Sequence, residues 1–557
     1  MIKINEKIKE CEVLVVGGGI AGLMAGIAAA DAGAKTFIVE KANTWRSGSG
    51  STGNDHFCCY IPDIHGTPED FYKEFKNGQN GKYCDKIIQM NYINRSFEVA
   101  QDWLKWGINM KPHGDWEFNG HAFPERPRIF LKYDGRNQKE ILTKEALKRG
   151  VIIDNKIDIT EFLTGANNEI IGAMGIQQEK GDIQLYRAKS VIVATGGVQR
   201  LYPSVTPSYL FNTAYCPNNT GSGMAAAYRR GAELVNLDIP RIHAGPKYME
   251  RCGKATWIGV LKDSNNNPIG PFVTKPNKEL GDITADVWKG VFGEKMRNGT
   301  GPTYMDCSEI DDEDLAYMLW GFECEGISSI IDVMEKQGID LKKHMIEFTQ
   351  YNPILFGRGL QMDIDAATNI PGLYAAGDGV GNFKAGIPGA AVYGRVAGEN
   401  ASQYTKMLEC ENKYDLVHHP VVIKAQEFYN LLLTREYGGD WKEFNAAVQQ
   451  LMDDYAGMKF IRSEAGLSAG FKYLSDLEEQ AKGNVRCKNV HELMRTLETF
   501  DLLLIGKLIC CTAIERKESR ELHKRADYTF TNPLLSDKFI VVKDRNGTPE
   551  ISWRKSY

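Results

Sequence analysis

No cysteine pair in this chain has the C-x-x-C spacing, although twelve cysteines are present. The doublets Cys58-Cys59 and Cys510-Cys511 fit neither zinc nor iron–sulfur ligand patterns. The thiols therefore read as reduced, buried side chains, and any iron–sulfur cluster serving the protein is expected on another subunit. There is no basic block. A formal net charge of −5 and a pI near 6.1 argue against nucleic-acid or anionic-membrane binding. No long apolar run is present either. The longest near the end, DLLLIGKLICCTAI, is interrupted by Lys507 and is too short to span a bilayer. The N-terminal residues lack an apolar signal core and pass straight into a strand, so a cytoplasmic location is expected. Internal repeats and low-complexity tails are absent.

What is present is a globular composition, 43% hydrophobic and 25% charged, over 557 residues, enough for two to four domains. Residues 11–40 read as an apolar strand, a glycine turn, an alanine-rich helix and a second strand ending at Glu40. Gly17, Gly19 and Gly22 fall where a dinucleotide-binding turn needs them: for the tight turn, for backbone approach to a pyrophosphate, and for helix–strand packing. Ile20 and Ala21 begin the helix, whose N-terminus favours phosphate. Glu40, 18 residues beyond Gly22, is placed to accept hydrogen bonds from a ribose, with Lys41 beside it.

Two further strand–turn units follow. One carries Ala194, Thr195 and Gly196 after Val191–Val193; the other has Gly377-Asp378-Gly379, then a small-residue helix start with Ala390, Ala391 and Val392. A strand and glycine turn repeated at such distances predicts one cofactor domain built from discontinuous segments. The stretch between residues 45 and 53, WRSGSGSTG, suits either a slack linker or a loop pressing its backbone on a ligand.

The order VVGGGIAGLMAG, VEKANTWRSGSG, VIVATGG, GPTYMD, GLYAAGDGVG, YGRVAG, RKESRELHKRADY, spread over almost the whole chain, resembles the succinate dehydrogenase/fumarate reductase flavoprotein family, nearest its adenylylsulfate reductase alpha-subunit branch. The resemblance implies an α/β fold: a discontinuous Rossmann-like FAD-binding domain (1–235 and 351–408), an inserted α+β capping domain (236–350) and a C-terminal helical domain (409–557). It implies FAD as cofactor, hydride transfer at flavin N5, and electrons from a ferredoxin-like iron–sulfur subunit in a hetero-oligomer. It also turns WRSGSGSTG into a flavin cradle, with Arg46, Ser47, Gly48, Ser51, Thr52, Gly53 and Asn54 as expected contacts. Ile157, Asp158 and Gly221 complete that set. Membrane-bound members have a flavin-alkylated histidine directly after the Arg-Ser pair. Here Gly48 stands in its place, which implies noncovalent FAD.

The substrate motifs of the family do not carry over. YNPILFGRGLQMD lacks the expected histidine and has Arg358 beside its glycines; RCGKATW offers Arg251 and Lys254 out of register. Asn218 stands for the nucleotide-stacking tryptophan of adenylylsulfate reductase, and Arg136 for a site glutamate. The expectation is a changed site for a small anionic substrate, with Arg241, Lys384, His243, Arg358, His121 and Arg136 as candidates to bind it or donate a proton, because arginine holds a carboxylate through paired hydrogen bonds. Arg126 and Arg128 lie in the same basic stretch. Sulfur-compound chemistry, or an electron-transfer subunit with no substrate of its own, are the alternatives.

Overall fold

The computed structural model describes residues 2–77, 82–203, 210–211, 213–249, 256–288, 290–408 and 413–557. Arg251 and Lys254 lie outside them.

A five-stranded parallel sheet runs in the order Leu373–Ala375, Ser190–Val193, Val13–Val16, Thr36–Glu40, Ile152–Asn155. All four residues of Val13–Val16 and of Ser190–Val193 are buried, as strands covered on both faces must be. From Val13–Val16 the chain moves to Thr36–Glu40 on one side, and Ser190–Val193 lies on the other. A topological switch point therefore falls between the two central strands, where a crevice opens at the carboxyl ends. The three glycine turns, so distant in sequence, emerge there side by side.

Helix Ile20–Asp31 lies against helix Gly386–Met407 at very close range. A β-carbon on Gly394 or Gly398 would come within 2.3 Å of the Ala21 or Ala25 carbonyl oxygen. A second, four-stranded sheet (Lys9–Glu10, Ile183–Arg187, Ile170–Gln177, Ile157–Thr164) flanks the parallel one.

Residues 244–350 hold an antiparallel sheet in the order Ala244–Pro246, Ile346–Gln350, Thr303–Asp306, Val260–Lys262, with helices Asp312–Cys324 and Ser329–Gln337 packed on it. This cap has its own core, with Trp257 between Phe322 and Phe348.

The C-terminal part contains helices Pro420–Thr434, Trp441–Leu451, Glu464–Asn484 and Val490–Glu515, the last burying Leu502, Leu503, Ile505 and Ile509. It is not wholly helical. A hairpin, Lys538–Arg545 with Thr548–Lys555, adds to Leu234–Val235. No helix of the described residues is long and apolar enough to cross a membrane. The described cysteines are all free thiols.

Candidate active site

One cavity of about 220 Å³ begins at the switch point and runs beneath the cap. Its first part is backbone. Gly17 (φ +104°) turns so tightly that a β-carbon there would lie 2.4 Å from the Ala194 carbonyl oxygen, and one on Gly22 would lie 1.8 Å from that of Gly17. Gly19 is different: a β-carbon would meet nothing within 4 Å, and one on Gly48 (φ +79°) would meet only the Gly19 Cα at 3.5 Å. Gly19 thus faces open space, with the Gly48 backbone close beside it.

Helix Ile20–Asp31 starts at Gly19 with neither a side-chain cap nor an acidic residue in its first turn, so its amides and dipole point at that space unsatisfied. Helix Gly386–Met407 likewise enters the cavity uncapped, through Gly386, Ile387, Pro388 and Ala390. Two bare helix N-termini and the open space at Gly19 fit a pyrophosphate and the electron-rich edge of a flavin.

Glu40 lines the same wall, its two carboxylate oxygens accepting from the Gly18 and Ala42 amides at 2.6 and 2.7 Å. Further along the wall come Lys41, Ile157, Asp158, Thr195, Gly196 and Gly221. Burial pushes the Asp158 carboxyl up to about 7, and does the same to Asp378 on the opposite side, against the pull of Lys384. Lys41 bridges to Asn218 O at 2.6 Å and to Glu498 at 2.8 Å, which ties this end of the cavity to helix Val490–Glu515.

Gly17, Gly19, Ile20, Ala21, Glu40, Gly48, Gly53, Asn54, Ala194, Asp378 and Ala390 all line the cavity. Gly22, Arg46, Ser47, Ser51, Thr52, Ala391 and Val392 do not. Ser47 Oγ donates to Gly18 O at 3.4 Å, Arg46 is exposed, and Ala391 and Val392 are fully buried in the helix interface. The Thr52 carbonyl packs directly under Gly326 of the cap. The 45–53 loop is thus clasped between two domains and is no linker.

Beyond the glycines the lining becomes side chains, in two banks. In the first, Tyr215 OH and His243 Nε2 are 2.6 Å apart, Tyr215 stacks on Phe356, and the Lys384 ammonium lies over the Phe356 ring at 4.5 Å.

The second bank joins His56, His121 and Glu325, the two imidazoles 4.9 Å apart. Asp55 lies behind it, 1% exposed, bound to His56 Nδ1 at 2.5 Å and to the fully buried Lys132 Nζ at 2.9 Å. Thr256 of the cap bridges Asp55 (3.2 Å) and His121 Nε2 (3.0 Å). His121 has φ +54°, in the left-handed region that histidine, like asparagine and aspartate, enters more often than other non-glycine residues.

Of the six residues the sequence nominates, His121, His243 and Lys384 line the cavity; Arg136, Arg241 and Arg358 do not. Arg136 pairs with Asp134 and Glu323 on the surface. Arg358 is 1% exposed and donates to the carbonyls of Ile239 and Gly357. Burial and the nearby Arg241 charge pull it down to about 9. Arg241 reaches the Lys82 carbonyl. Arg126 and Arg128 pair with Glu74 and Glu279. In the RKESR segment Arg516 grips Asp238 and Glu518, and Glu518 holds Arg520, which joins domains away from the cavity.

His56, Tyr215 and Glu325 are cavity residues that sequence reasoning passed over. Only His56 carried a signal, following directly on the cradle loop. Among the described residues, Asp55, His56 and Glu325 are the sole His/Asp/Glu group spaced to share an ion, but the Lys132 ammonium already supplies the opposing charge.

An FAD binding domain model matches residues 12–391, and a fumarate reductase flavoprotein C-terminal model matches residues 445–556. One of the subunits of the fumarate reductase (CoM/CoB) from Methanothermobacter marburgensis is 22% identical over 565 residues, covering 95% of this chain and 96% of the relative. An uncharacterized FAD-dependent oxidoreductase of Methanocaldococcus jannaschii is 24% identical, with the same coverage. Adenylylsulfate reductase from Archaeoglobus fulgidus superposes with a TM-score of 0.84 at 21% identity, covering 99% of this chain and 96% of that one. Quinol fumarate reductase of E. coli gives 0.79 at 20%, covering 99% and 97%. With a glycine cradle that fits the cofactor and family models over most of its length, this chain is an FAD-dependent oxidoreductase belonging to the succinate dehydrogenase/fumarate reductase flavoprotein family.

Proposed function

We propose that the protein reduces an unsaturated or otherwise activated small organic anion. The observation that carries this reading is the continuity of one cavity from the dinucleotide cradle to the two banks of proton-bearing and cationic side chains. When bound, FAD supplies a two-electron, hydride-equivalent couple. Gly19, Gly48 and the N-terminus of helix Ile20–Asp31 hold its pyrophosphate, and Glu40 lies on the ribose wall.

Lys384, with His243 and Tyr215 beside it, binds the anion, since a buried ammonium and hydrogen-bond donors against an aromatic wall suit a carboxylate better than a neutral group. Arg241 and Arg358, behind that bank, add positive potential without contact. Arg136 stays at the rim. With glycine at position 48 the cofactor is held by contacts alone. Electrons arrive from an iron–sulfur protein partner in a hetero-oligomer, consistent with the absence of cluster-spaced cysteines.

The test is anaerobic. The photoreduced protein is mixed with a panel of small enoates, and flavin reoxidation is followed by absorbance. Reoxidation by at least one enoate is expected. A protein oxidised by ferredoxin and by no organic acid is an electron-transfer subunit instead, and release of sulfite from adenylylsulfate would favour the sulfur reading. Acid precipitation should release all of the flavin into the supernatant.

A further inference from the structure

His56 is not among the residues the sequence nominates, yet it lines the cavity on a carboxylate that is itself held from several sides. We propose that His56, held by Asp55, is the group that moves the proton in this site. This rests on the reading of the cavity as a hydride-transfer site.

Nδ1 of His56 is committed to the Asp55 carboxylate at 2.5 Å, so any exchange with a bound molecule passes through Nε2. Asp55 is in turn fixed from three sides: by Lys132 Nζ at 2.9 Å, by Thr256 Oγ1 at 3.2 Å, and through its own amide, which donates to Glu325 Oε1 at 3.4 Å. Such an arrangement sets the tautomer and angle of the imidazole, as a carboxylate does for a catalytic histidine generally. Lys384 and Tyr215 are assigned to binding the anion, and three other proton carriers are less suited. Lys132 is fully buried behind Asp55, His121 has Nε2 on Thr256, and His243 has Nε2 on Tyr215.

The charged and titratable groups facing His56 are Asp55, Glu325, Lys132 and His121. Burial holds the imidazole below its ordinary value, against the pull of Asp55. Burial and the neighbouring Asp55 charge hold the Glu325 carboxyl well above its ordinary range. The imidazole is thus held toward its neutral form and the Glu325 carboxyl toward its protonated form, with Glu325 Oε1 3.7 Å from His56 Nδ1.

In reduction, the carbon–carbon π bond breaks and two C–H bonds form. One takes a hydride equivalent from reduced FAD, which is thereby oxidised by two electrons. The other takes the Nε2 proton of the imidazolium formed when the anion binds, leaving the imidazole neutral until a proton from water restores it. Run backwards, neutral His56 is the base. The reductive rate should accordingly rise as pH falls toward the lowered His56 value, and the oxidative rate should rise with pH.

The test begins on the wild-type holoenzyme. Malonate is titrated calorimetrically at pH 7 in two buffers of different ionisation enthalpy, which counts protons taken up on binding; about one is expected, as the anion draws a proton onto His56. His56→Gln and Asp55→Asn are compared next, flavin content and absorbance reporting intact folding. His56→Gln should take up none and should lose 10²- to 10⁴-fold in enoate reduction, with its pH profile flattened. Asp55→Asn should keep the flavin and shift the profile to lower pH.

Retention by His56→Gln of the proton uptake, or of wild-type rate and pH profile, overturns the assignment. If no enoate is turned over but the wild type takes up a proton that His56→Gln does not, the reductase reading fails and the proton role stands. If the wild type neither binds malonate with proton uptake nor turns over an enoate, both fall.

Discussion

Gly19 and Gly22 are three residues apart in one turn, yet the same methyl group acts on them in opposite ways. At Gly19 the backbone is ordinary (φ −69°) and the β-carbon position is empty, so Gly19→Ala leaves folding untouched and places its methyl in the cofactor's approach. The apo protein should unfold within about 0.5 kcal/mol of wild type, while FAD affinity, followed by fluorescence titration, falls at least tenfold. At Gly22 the β-carbon would strike the Gly17 carbonyl, so Gly22→Ala should cost about 1–3 kcal/mol in the apo protein itself. Asp378 makes a pH prediction of the same kind. Its folded value, about 7, lies above the ordinary carboxylate value of 3.8, so the folded apo state binds more protons between those values and loses stability as pH rises through that window. Asp378→Asn should remove that part of the decline in a comparison of apo melting at pH 5 and pH 7.5.

Among elements, the contact between helices Ile20–Asp31 and Gly386–Met407 decides how closely the two bare N-termini converge. Gly394→Ala puts a methyl 2.3 Å from the Ala21 carbonyl, so the helices must part. The expected cost is about 1–3 kcal/mol in denaturant unfolding, accompanied by weaker FAD binding. These elements were legible in the sequence because their determinants are local: an apolar run, then a turn whose glycine spacing is set by backbone sterics. The 45–53 stretch became legible only through the family resemblance, and of its expected contacts Gly48, Gly53 and Asn54 line the cavity while Arg46, Ser47, Ser51 and Thr52 do not. The substrate side was not legible. Asp55 meets Glu325 across 270 positions, and no spacing rule links them. The arginines misled for a related reason. Charge pattern shows that a guanidinium exists but not that Arg358 will be spent on the carbonyls of Ile239 and Gly357, or Arg136 on Asp134.

On the scale of the whole molecule, the C-terminal part does more than cover the FAD domain. Helix Val490–Glu515 sends Glu498 inward, 1% exposed, where Lys41, Arg200 and Arg495 surround it at 2.8, 2.6 and 2.9 Å. Three cations converge on one carboxylate, and Lys41 is also a wall of the cofactor cavity. The cations hold Glu498 down to about 2, below its ordinary 4.5. A carboxyl depressed in the folded state contributes stability that is complete above its unfolded value and lost as pH falls toward the folded one. The interdomain tie should therefore persist at pH 6 and fail progressively below about 4.5. Glu498→Gln keeps the shape but leaves the buried Arg200 and the half-buried Lys41 and Arg495 without their carboxylate, a loss of about 3–5 kcal/mol for breaking a buried pair. Because Lys41 then loses its charged partner and keeps only the Asn218 carbonyl, the variant should release FAD at a lower denaturant concentration than the one that unfolds its helices. Parallel records of flavin fluorescence and far-UV circular dichroism should separate into two transitions in Glu498→Gln and coincide in the wild type. Coincident transitions in both would mean that the C-terminal helix stabilises the chain without reaching the cofactor.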